Sequence, residues 1–420
     1  MQRSAIVLAA ISMAVAGCTA NSGLTAAKYS AADEAAYLDR FNALSEGGSG
    51  GAGLAGAYDP LEPVAGAANA VPLPVSTAPS LSASALATAT DYAAQRNSAA
   101  LIVWRNGAIE AERYFGEANR DTLINSKSLA KPITALAIGR AIQQGYISSL
   151  DQKVSDFITE WRSDPERSQM RIRHLLDMRS GFIPQAMATS PDDILNRAYL
   201  HPRHDEVIIN EMPLANTPGT RYEYANATSE IVAPVIERAT GMRYGEFLSE
   251  ALLKPIGAAG GEIWVNRPGG TAHSGCCVLL PAQTYLRMAV LALQDGVWAG
   301  DRLLPEGYVS QMRTGTAENP YYGLGLWLPL TYVERRGYAH PEVPVGKVLH
   351  SEPYLDRDIA LFDGNGNQVA YMIPSANMVI LRVGNRPPQE AEWDNSFLPN
   401  LLIRDAFRTP GAAMPEPQPR

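Results

Sequence analysis

The chain has 420 residues, of which 46% are hydrophobic and 19% are charged, and its formal net charge is −8. This composition is typical of a globular protein with enough apolar material for a large core. The arginine-rich stretch at residues 162–179 also contains Asp164 and Glu166, which indicates a solvated helix face rather than a basic binding patch. Nucleic acid is therefore excluded as a partner class.

The N-terminus has the pattern of an export signal. Arg3 is followed by a mostly apolar run at residues 5–16, which is too short to span a bilayer but has the length of a signal-peptide core. The run ends in Val-Ala-Gly-Cys18, which resembles a bacterial lipobox, where the cysteine is lipidated. We expect residues 1–17 to be a lipoprotein signal peptide and Cys18 to anchor an exported protein to the bacterial cell envelope, facing the periplasm. A chance cysteine near a plain signal peptide is the alternative.

Segments of biased composition flank the predicted folded body. A short helix is predicted at residues 31–44, and the Gly-, Ala- and Pro-rich residues 45–79 indicate flexible chain. Residues 18–80 are therefore predicted to tether the body, residues 81–408, to the lipid. Residues 409–420 are predicted to form a disordered tail.

Two hairpin patterns lie near the ends of this body. Two β-rich runs flank Asn106-Gly107, a strong hairpin signal, and QVAYMI is joined to MVILRVG by a turn at residues 374–377. Between them, NATSEIVAPVIERATG and AQTYLRMAVLALQDG indicate helices that end at glycine. The order predicts an α+β fold: both termini build an antiparallel sheet flanked by helices, and about residues 145–290 form a mostly helical middle part.

Cys276 and Cys277 are adjacent, and only Cys18 accompanies them in the chain. Neighbouring Cα atoms lie about 3.8 Å apart, below the usual disulfide range. The sequence therefore predicts a buried, reduced pair.

Ser128 and Lys131 form a Ser-x-x-Lys motif at the start of a predicted helix, where Ile133, Leu136 and Ala141 are spaced for one buried face. Residues at i and i+3 share a helix face, so the hydroxyl and the amine can meet. A neutral lysine can accept the serine proton, and the helix N-terminus offers N–H groups to an oxyanion. Taken alone, the motif favours the simpler interpretation, a capping serine with an unrelated lysine.

A second motif changes this balance. Tyr224-Ala225-Asn226 follows a Pro-Gly turn and precedes a helix, about a hundred residues after Ser128. A tyrosine in that place can relay protons between a nucleophile and a leaving group. By itself the motif is also compatible with an aromatic residue and an Asn cap, but the two motifs together favour a catalytic site.

The ordered set of segments resembles the serine β-lactamase-related family: class C β-lactamases, penicillin-binding DD-peptidases, and their esterase and amide-hydrolase relatives. The segments are LIVWRNGAIEAERY, SLAK, IRHLLDMRSGF, PGTRYEYAN, CCVLLPAQTYLRMAVLALQDGVW, YYGLGLWL and GNGNQVAYMIPSANMVILRVGN, between about residues 99 and 387. The resemblance implies a β-lactamase/transpeptidase-like fold and an acyl-enzyme mechanism, without metal or cofactor.

The resemblance also implies roles for individual residues. Ser128 would be the acylated nucleophile, and Lys131 would be its general base or would tune its reactivity. Tyr224 would be the proton shuttle. Asn226 would hydrogen-bond the substrate or Lys131.

The third family motif begins with Lys or His, but the aligned triplet here is Asn365-Gly366-Asn367, which lacks the cation. The backbone N–H of Gln368 would pair with that of Ser128 as the oxyanion hole. The missing cation puts β-lactam recognition in doubt.

Two further candidates are weaker. His201-x-x-His204 would suit a metal, but no third ligand is apparent in the sequence, so loop histidines are the favoured interpretation and no metal is predicted. Tyr199 lies on a stretch that overhangs the site in the family, and it is predicted to touch substrate.

These observations predict a lipid-anchored serine hydrolase for small-molecule esters or short amides, with β-lactamase or DD-peptidase activity as an alternative. A non-catalytic penicillin-sensor-like or peptidoglycan-binding module is the competing class. Slow or absent deacylation would distinguish it from the enzyme.

Overall fold

The computed structural model describes residues 28–47, 58–184, 190–337 and 347–420. Cys18 and the predicted signal peptide lie outside these residues. The helices are α1 (Ala31–Gly47), α2 (Ala83–Ala94), α3 (Ala130–Gln143), α4 (Ile172–Leu176), α5 (Ile194–Leu200), α6 (His204–Asn210), α7 (Asn226–Glu230), α8 (Val232–Thr240), α9 (Tyr244–Leu248), α10 (Ala282–Leu293), α11 (Tyr308–Met312) and α12 (Phe397–Ala406).

The strands lie in groups between runs of these helices. They are β1 (Leu61–Val64), β2 (Ser98–Arg105), β3 (Ala108–Tyr114), β4 (Ile124–Asn125), β5 (Gly261–Trp264), β6 (Val278–Leu280), β7 (Val297–Trp298), β8 (Asp301–Arg302), β9 (Arg335–Gly337), β10 (Lys347–Leu349), β11 (Ala360–Gly364), β12 (Gln368–Ile373) and β13 (Met378–Gly384). Among the described residues, no helix has the length and apolar character needed to cross a bilayer.

The main sheet is antiparallel and is built from both ends of the body, which confirms the predicted α+β architecture. Its five strands follow the order β11-β12-β13-β2-β3. Asn106 and Gly107 both take the positive φ angles that a tight hairpin needs, at 50° and 95°, and they join β2 to β3. Asn377, with φ of 44°, ends the short turn between β12 and β13. Both predicted hairpins are therefore present.

Helix α3 carries the Ser-x-x-Lys lysine through the centre of the molecule. The predicted face is buried, with Ile133 at 1% exposure and Leu136 at 0%. The helix is, however, buried on every side from Ala130 to Ala141. The prediction of a single buried face was too narrow, because the helix lies between elements rather than on the surface of one layer.

The middle of the chain is mostly helical, as predicted. Helices α4 to α9 lie there, and α8 ends at Gly241, whose φ of 73° is the left-handed conformation of a helix C-terminus. The structure adds a second, four-stranded sheet of order β1-β5-β6-β4, which the sequence did not predict. Its strands have only two to four residues each, too few for a period-two pattern to be recognised.

The prediction that residues 18–80 are only a tether is wrong for the described part of that segment. In α1, Tyr37 is 1% exposed, Glu34 forms an ion pair of 2.7 Å with Arg197 of α5, and Arg40 donates to the Leu200 carbonyl at 3.1 Å. Farther along, β1 pairs antiparallel with β5. An ion pair, a hydrogen bond and a buried tyrosine thus hold α1 on the body, and strand pairing holds β1.

The C-terminal tail also packs on the body, so the prediction of a disordered tail is wrong. Gln418 is 7% exposed, and it exchanges hydrogen bonds with Tyr354: the Gln418 N–H donates to the Tyr354 carbonyl at 2.9 Å, and the Tyr354 N–H donates to Gln418 Oε1 at 3.1 Å. Backbone polar groups of this kind can fix a proline-rich segment that has no regular secondary structure.

Candidate active site

Ser128 lies in a single 3-10 turn, Lys127–Leu129, between β4 and α3. The preceding residue, Lys127, has a φ of 48°, which is uncommon for a residue with a side chain, and its N–H donates to Asn125 Oδ1 at 2.9 Å. Ser126 N–H donates to the Val278 carbonyl of β6 at 2.8 Å. The turn is thus anchored on the N-terminal side of Ser128. Since Leu129 is the N-cap of α3 and no side chain caps it, Ser128 is not a helix cap.

Lys131 points its amine at Ser128 and is 3% exposed. Its Nζ donates to Ser128 Oγ at 3.2 Å, to Asn226 Oδ1 at 3.1 Å and to the Gly275 carbonyl at 3.0 Å. Three acceptors fix the position of the amine, so it cannot swing away from the serine hydroxyl. A lysine in this place, when neutral, is within reach of the serine proton.

Tyr224 approaches the serine hydroxyl from the segment before α7. Its hydroxyl donates to Ser128 Oγ at 2.9 Å, and its ring lies nearly parallel to that of Trp327, with centroids 6.5 Å apart. Tyr322 meets the Tyr224 ring edge-on, and burial raises the pKa of the Tyr322 hydroxyl well above its usual range. Tyr322 is therefore a neutral packing partner, while Tyr224 contacts Ser128.

Asn226 is the first residue of α7 and presents its side-chain oxygen to the lysine. The structure thus brings Ser128, Lys131, Tyr224 and Asn226 together within hydrogen-bond distances. Each contact joins residues about a hundred positions apart or one helical turn apart, as the two motifs predicted. The catalytic roles themselves remain proposals.

The hairpin between β11 and β12 reaches the same place through Gly364. A β-carbon at Gly364 would lie 3.0 Å from the Leu129 amide nitrogen and 3.3 Å from that of Ser128, so a side chain here would require the Ser128 turn to move by a few tenths of an ångström. The sequence analysis missed Gly364, because only the fold shows that β11 passes beside the Ser128 turn. A glycine directly before the aligned triplet was the signal that could have revealed it.

The residues of the aligned triplet lie farther along the hairpin. Asn365 is exposed and its Oδ1 accepts a hydrogen bond from Arg386 Nη2 at 3.2 Å. Gly366 has a φ of 82°, and its carbonyl accepts from the buried Arg382 at 2.7 Å. Asn365, which stands where the family motif has Lys or His, therefore has the guanidinium of Arg386 beside it.

Gln368 has a fully buried side chain that contacts the backbone just before the Ser128 turn. Its Nε2 donates to the Asn125 carbonyl at 2.8 Å, and its Oε1 accepts from the Gly384 N–H at 3.3 Å. The side chain is thus occupied with the backbone of β4 and β13. An oxyanion-hole role for its N–H stays a prediction, and Gly364 is the hairpin residue that the structure brings against the Ser128 amide.

Cys276 and Cys277 are joined by a disulfide, so the prediction of a reduced pair is wrong. Their Cα atoms are 3.7 Å apart, which is shorter than most disulfides span, and the usual range misled the prediction. Tyr199 places its hydroxyl 3.0 Å from Cys276 Sγ and 3.6 Å from Cys277 Sγ. Its ring packs edge-on against Trp264. The contact of Tyr199 with substrate stays a prediction; its hydroxyl is directed at the disulfide.

The two histidines of His201-x-x-His204 have separate surroundings. His201 accepts from the Arg203 N–H at 3.0 Å, whereas His204 Nε2 lies 3.7 Å from Glu230 Oε2, and His273 Nδ1 approaches the same oxygen at 3.6 Å. Glu230 and His273 are the partners that the sequence did not reveal for His204.

These three side chains are fully buried and have residue types that suit a metal. The rings of His204 and His273 are, however, stacked with centroids 4.1 Å apart and planes at 13°. Two imidazoles that bind one tetrahedral ion in their ring planes have centroids roughly 5 Å apart. The candidate ligand atoms of the three side chains lie within 4.8 Å of one another, but the stacked rings are closer together than in such a pair.

A buried lysine, a tyrosine and a serine therefore converge beside β11, the edge strand of the main antiparallel sheet. Residues 84–398 match the family model described as Beta-lactamase. Since that match covers most of the chain, the protein belongs to the beta-lactamase family.

Curated relatives include ester and amide hydrolases. Esterase EstB of Burkholderia gladioli is 29% identical over 178 residues, which are 38% of this chain and 45% of the relative. The 6-aminohexanoate-dimer hydrolase of Paenarthrobacter ureafaciens is 26% identical over 231 residues, which are 51% of this chain and 57% of the relative. The aligned part thus spans about half the length of these relatives.

Solved structures show the same fold over a longer stretch. A Bacillus anthracis protein provisionally assigned as a 6-aminohexanoate-dimer hydrolase superposes with a TM-score of 0.64 at 18% identity, covering 84% of this chain and 91% of that one. EstCE1, a hydrolase with promiscuous acyltransferase activity, superposes with a TM-score of 0.55 at 16% identity, covering 77% and 96%. At these identities the superpositions show the fold alone.

Proposed function

We propose that the protein is a serine hydrolase that forms an acyl-enzyme on Ser128 and releases it to water, with small esters or short amides as substrates. The observation that carries this proposal is the double contact at the serine: both the Lys131 amine and the Tyr224 hydroxyl lie within 3.2 Å of Ser128 Oγ. The esterase and amide hydrolase among the relatives support the two substrate classes.

The geometry supports the following steps. Ser128 Oγ attacks the acyl carbon, and its proton passes to Lys131 Nζ. The carbonyl oxygen becomes an oxyanion next to the Ser128 N–H, at the start of α3, where N–H groups without helical partners stabilise negative charge. The proton that Lys131 accepted then passes by way of Tyr224, which bonds the same Oγ, to the leaving group as its bond to the acyl carbon breaks, so that lysine and tyrosine both end neutral. Water then attacks the ester on Ser128, with the same groups acting in reverse.

Three probes applied in parallel test this proposal. We expect a fluorophosphonate label to attach to Ser128, p-nitrophenyl esters to be hydrolysed with repeated turnover, and a fluorescent penicillin to react weakly. Peptide mass spectrometry after labelling locates the adduct. Stable acylation by penicillin without ester turnover would indicate the penicillin-sensor-like module instead, and an adduct on another residue would contradict the proposal.

We further propose that the protein is exported and lipid-anchored through Cys18 to the bacterial envelope. The apolar run and the Val-Ala-Gly-Cys18 pattern support export. The disulfide between Cys276 and Cys277 is an independent support, since disulfides persist in oxidising compartments such as the periplasm. Because α1 packs on the body and residues 19–27 can reach at most about 30 Å, a lipid on Cys18 would keep the body within that distance of the membrane.

The anchor is tested by expression of the full-length protein in a bacterial host. We expect it to partition with membranes and to carry a lipid on Cys18, which mass spectrometry of the mature N-terminal peptide measures. Cys18→Ala should abolish the lipid and release or mis-process the protein, whereas Cys276→Ala, as a control, should retain the lipid. An unmodified mature N-terminus located beyond residue 18 would refute the anchor.

A further inference from the structure

A short stretch before and within β6 contacts both the candidate base and the nucleophile turn. The Gly275 carbonyl accepts from Lys131 Nζ at 3.0 Å. Three residues later, the Val278 N–H donates to Ser126 Oγ at 3.2 Å, and the Val278 carbonyl accepts from the Ser126 N–H at 2.8 Å. The conformation of this stretch therefore helps to set the distance between the amine of Lys131 and the hydroxyl of Ser128.

The disulfide lies in the middle of this stretch. Cys277 has a φ of 69°, in the left-handed region that residues with side chains rarely adopt. A bond between the side chains of neighbouring residues closes a small ring around the peptide that joins them, and the ring restricts that backbone. Both cysteines are buried, and the Tyr199 hydroxyl packs against their sulfurs.

The chain before the disulfide is fixed by other contacts. Ser274 Oγ donates to the Ser229 carbonyl at 2.7 Å and accepts from the Ala233 N–H at 3.1 Å. A β-carbon at Gly275 would lie 2.7 Å from Ser229 Cβ and 2.9 Å from Glu230 Oε1. Gly275 is therefore pressed against α7, and the disulfide is the covalent constraint on its other side.

We propose that the Cys276–Cys277 disulfide is a positioning element for Lys131, and that its reduction by a dithiol slows the acylation of Ser128. The inference rests on the proposed hydrolase function. In the reduction, the dithiol loses two electrons and two protons and becomes a disulfide, while the cystine gains them and becomes two thiols. Cys277 is then free to leave the left-handed region, and the Gly275 carbonyl loses the covalent constraint on its C-terminal side, while the contacts of Ser274 remain.

The expected effect falls on the chemical step. A misplacement of about 1 Å in a catalytic constellation costs about a hundredfold in rate. We therefore expect a fall in kcat of about ten- to a hundredfold for a p-nitrophenyl ester, with KM within about twofold, because the stretch contacts the base rather than the substrate.

The experiment compares the full-length protein before and after treatment with dithiothreitol under native conditions. Peptide mass spectrometry verifies complete reduction, and a thermal melt verifies that the fold persists. Reoxidation with oxidised glutathione should restore kcat, which a mere loss of protein would not allow. The double variant Cys276→Ser, Cys277→Ser serves as the matched control: its kcat should be low from the start and indifferent to dithiothreitol. Gly275→Ala should lower kcat with the disulfide intact.

Complete reduction with kcat within twofold of the oxidised value would overturn the inference. Simultaneous loss of kcat and of the cooperative melt would also overturn it, since the disulfide would then be a general structural cross-link. Failure of the hydrolase proposal looks different: the oxidised protein itself would show no label on Ser128 and no ester turnover.

Discussion

Replacement of Ser128 by alanine is expected to abolish fluorophosphonate labelling and to reduce ester turnover by at least about 10⁴-fold, the order seen when a nucleophile is removed from a serine hydrolase. The physical reason is direct: the Lys131 amine and the Tyr224 hydroxyl both hydrogen-bond to Ser128 Oγ, so the variant leaves the proton acceptor and the proton shuttle without a reacting atom. Steady-state kinetics with a p-nitrophenyl ester measures the loss.

The two partners of the serine should show large effects of their own. Lys131→Ala removes the base, and Tyr224→Phe removes only one hydroxyl, yet each is expected to lower kcat by about 10²-fold or more. A double variant that combines Ser128→Ala with Lys131→Ala or with Tyr224→Phe should have the same residual kcat as Ser128→Ala alone, because residues that act as one unit fail together.

Matched controls separate chemistry from packing. Tyr222→Phe removes a buried hydroxyl two residues from Tyr224, and Lys254→Ala removes an exposed amine that pairs with Glu250. Both should leave kcat within about twofold. Near-normal esterase activity in Ser128→Ala would refute the assignment of the nucleophile, and equal losses in Tyr222→Phe and Tyr224→Phe would reduce Tyr224 to a packing role.

Local motifs predicted the part of the site that depends on helical spacing and on short segments. Ser128 and Lys131 meet because they are three residues apart at the start of a helix, and Asn226 reaches the same amine because it begins α7. The two hairpins were predictable for a similar reason, since the turn residues Asn106 and Asn377 determine local backbone angles.

The parts that escaped prediction depend on contacts distant in sequence. Gly275 and Gly364 carry no side chain, and their importance lies in which backbone they approach, which only the assembled fold determines. The N-terminal segment has the composition of a linker, but Tyr58 accepts a hydrogen bond from Lys127 Nζ at 2.5 Å, beside the nucleophile. Composition averages over such single residues, and for this reason it could not show that the described part of residues 18–80 packs on the body.

Substrate preference is expected to depend strongly on the triplet that begins at Asn365. A β-lactam or a D-Ala-D-Ala peptide presents a carboxylate near the scissile bond, and a charge-assisted hydrogen bond to it is roughly twice as strong as a neutral one. Each ~1.4 kcal/mol corresponds to a tenfold change in rate or affinity. Loss of the motif cation therefore costs on the order of ten- to a hundredfold for carboxylate-bearing substrates. Neutral esters need no such partner.

Arg386 places a guanidinium beside Asn365. Its Nη2 donates to Asn365 Oδ1 at 3.2 Å, but the side chain is exposed, and exposed charges contribute little because water screens them. We therefore expect kcat/KM for short-chain p-nitrophenyl esters to exceed that for nitrocefin or penicillin G in the unmodified protein. Parallel steady-state assays of the two substrate classes measure this ratio.

Two variants locate the source of any carboxylate recognition. Asn365→Lys restores the cation at the motif position and should shift the ratio about tenfold toward nitrocefin and penicillin G, while ester hydrolysis stays within about twofold. Arg386→Gln should leave ester hydrolysis unchanged. It should lower kcat/KM for the carboxylate-bearing substrates only if the exposed guanidinium contacts their carboxylate. A large fall in nitrocefin hydrolysis in Arg386→Gln would assign the missing cation to Arg386. Efficient nitrocefin hydrolysis that neither substitution alters would refute the link between the third motif and substrate class, because the carboxylate would then be bound elsewhere.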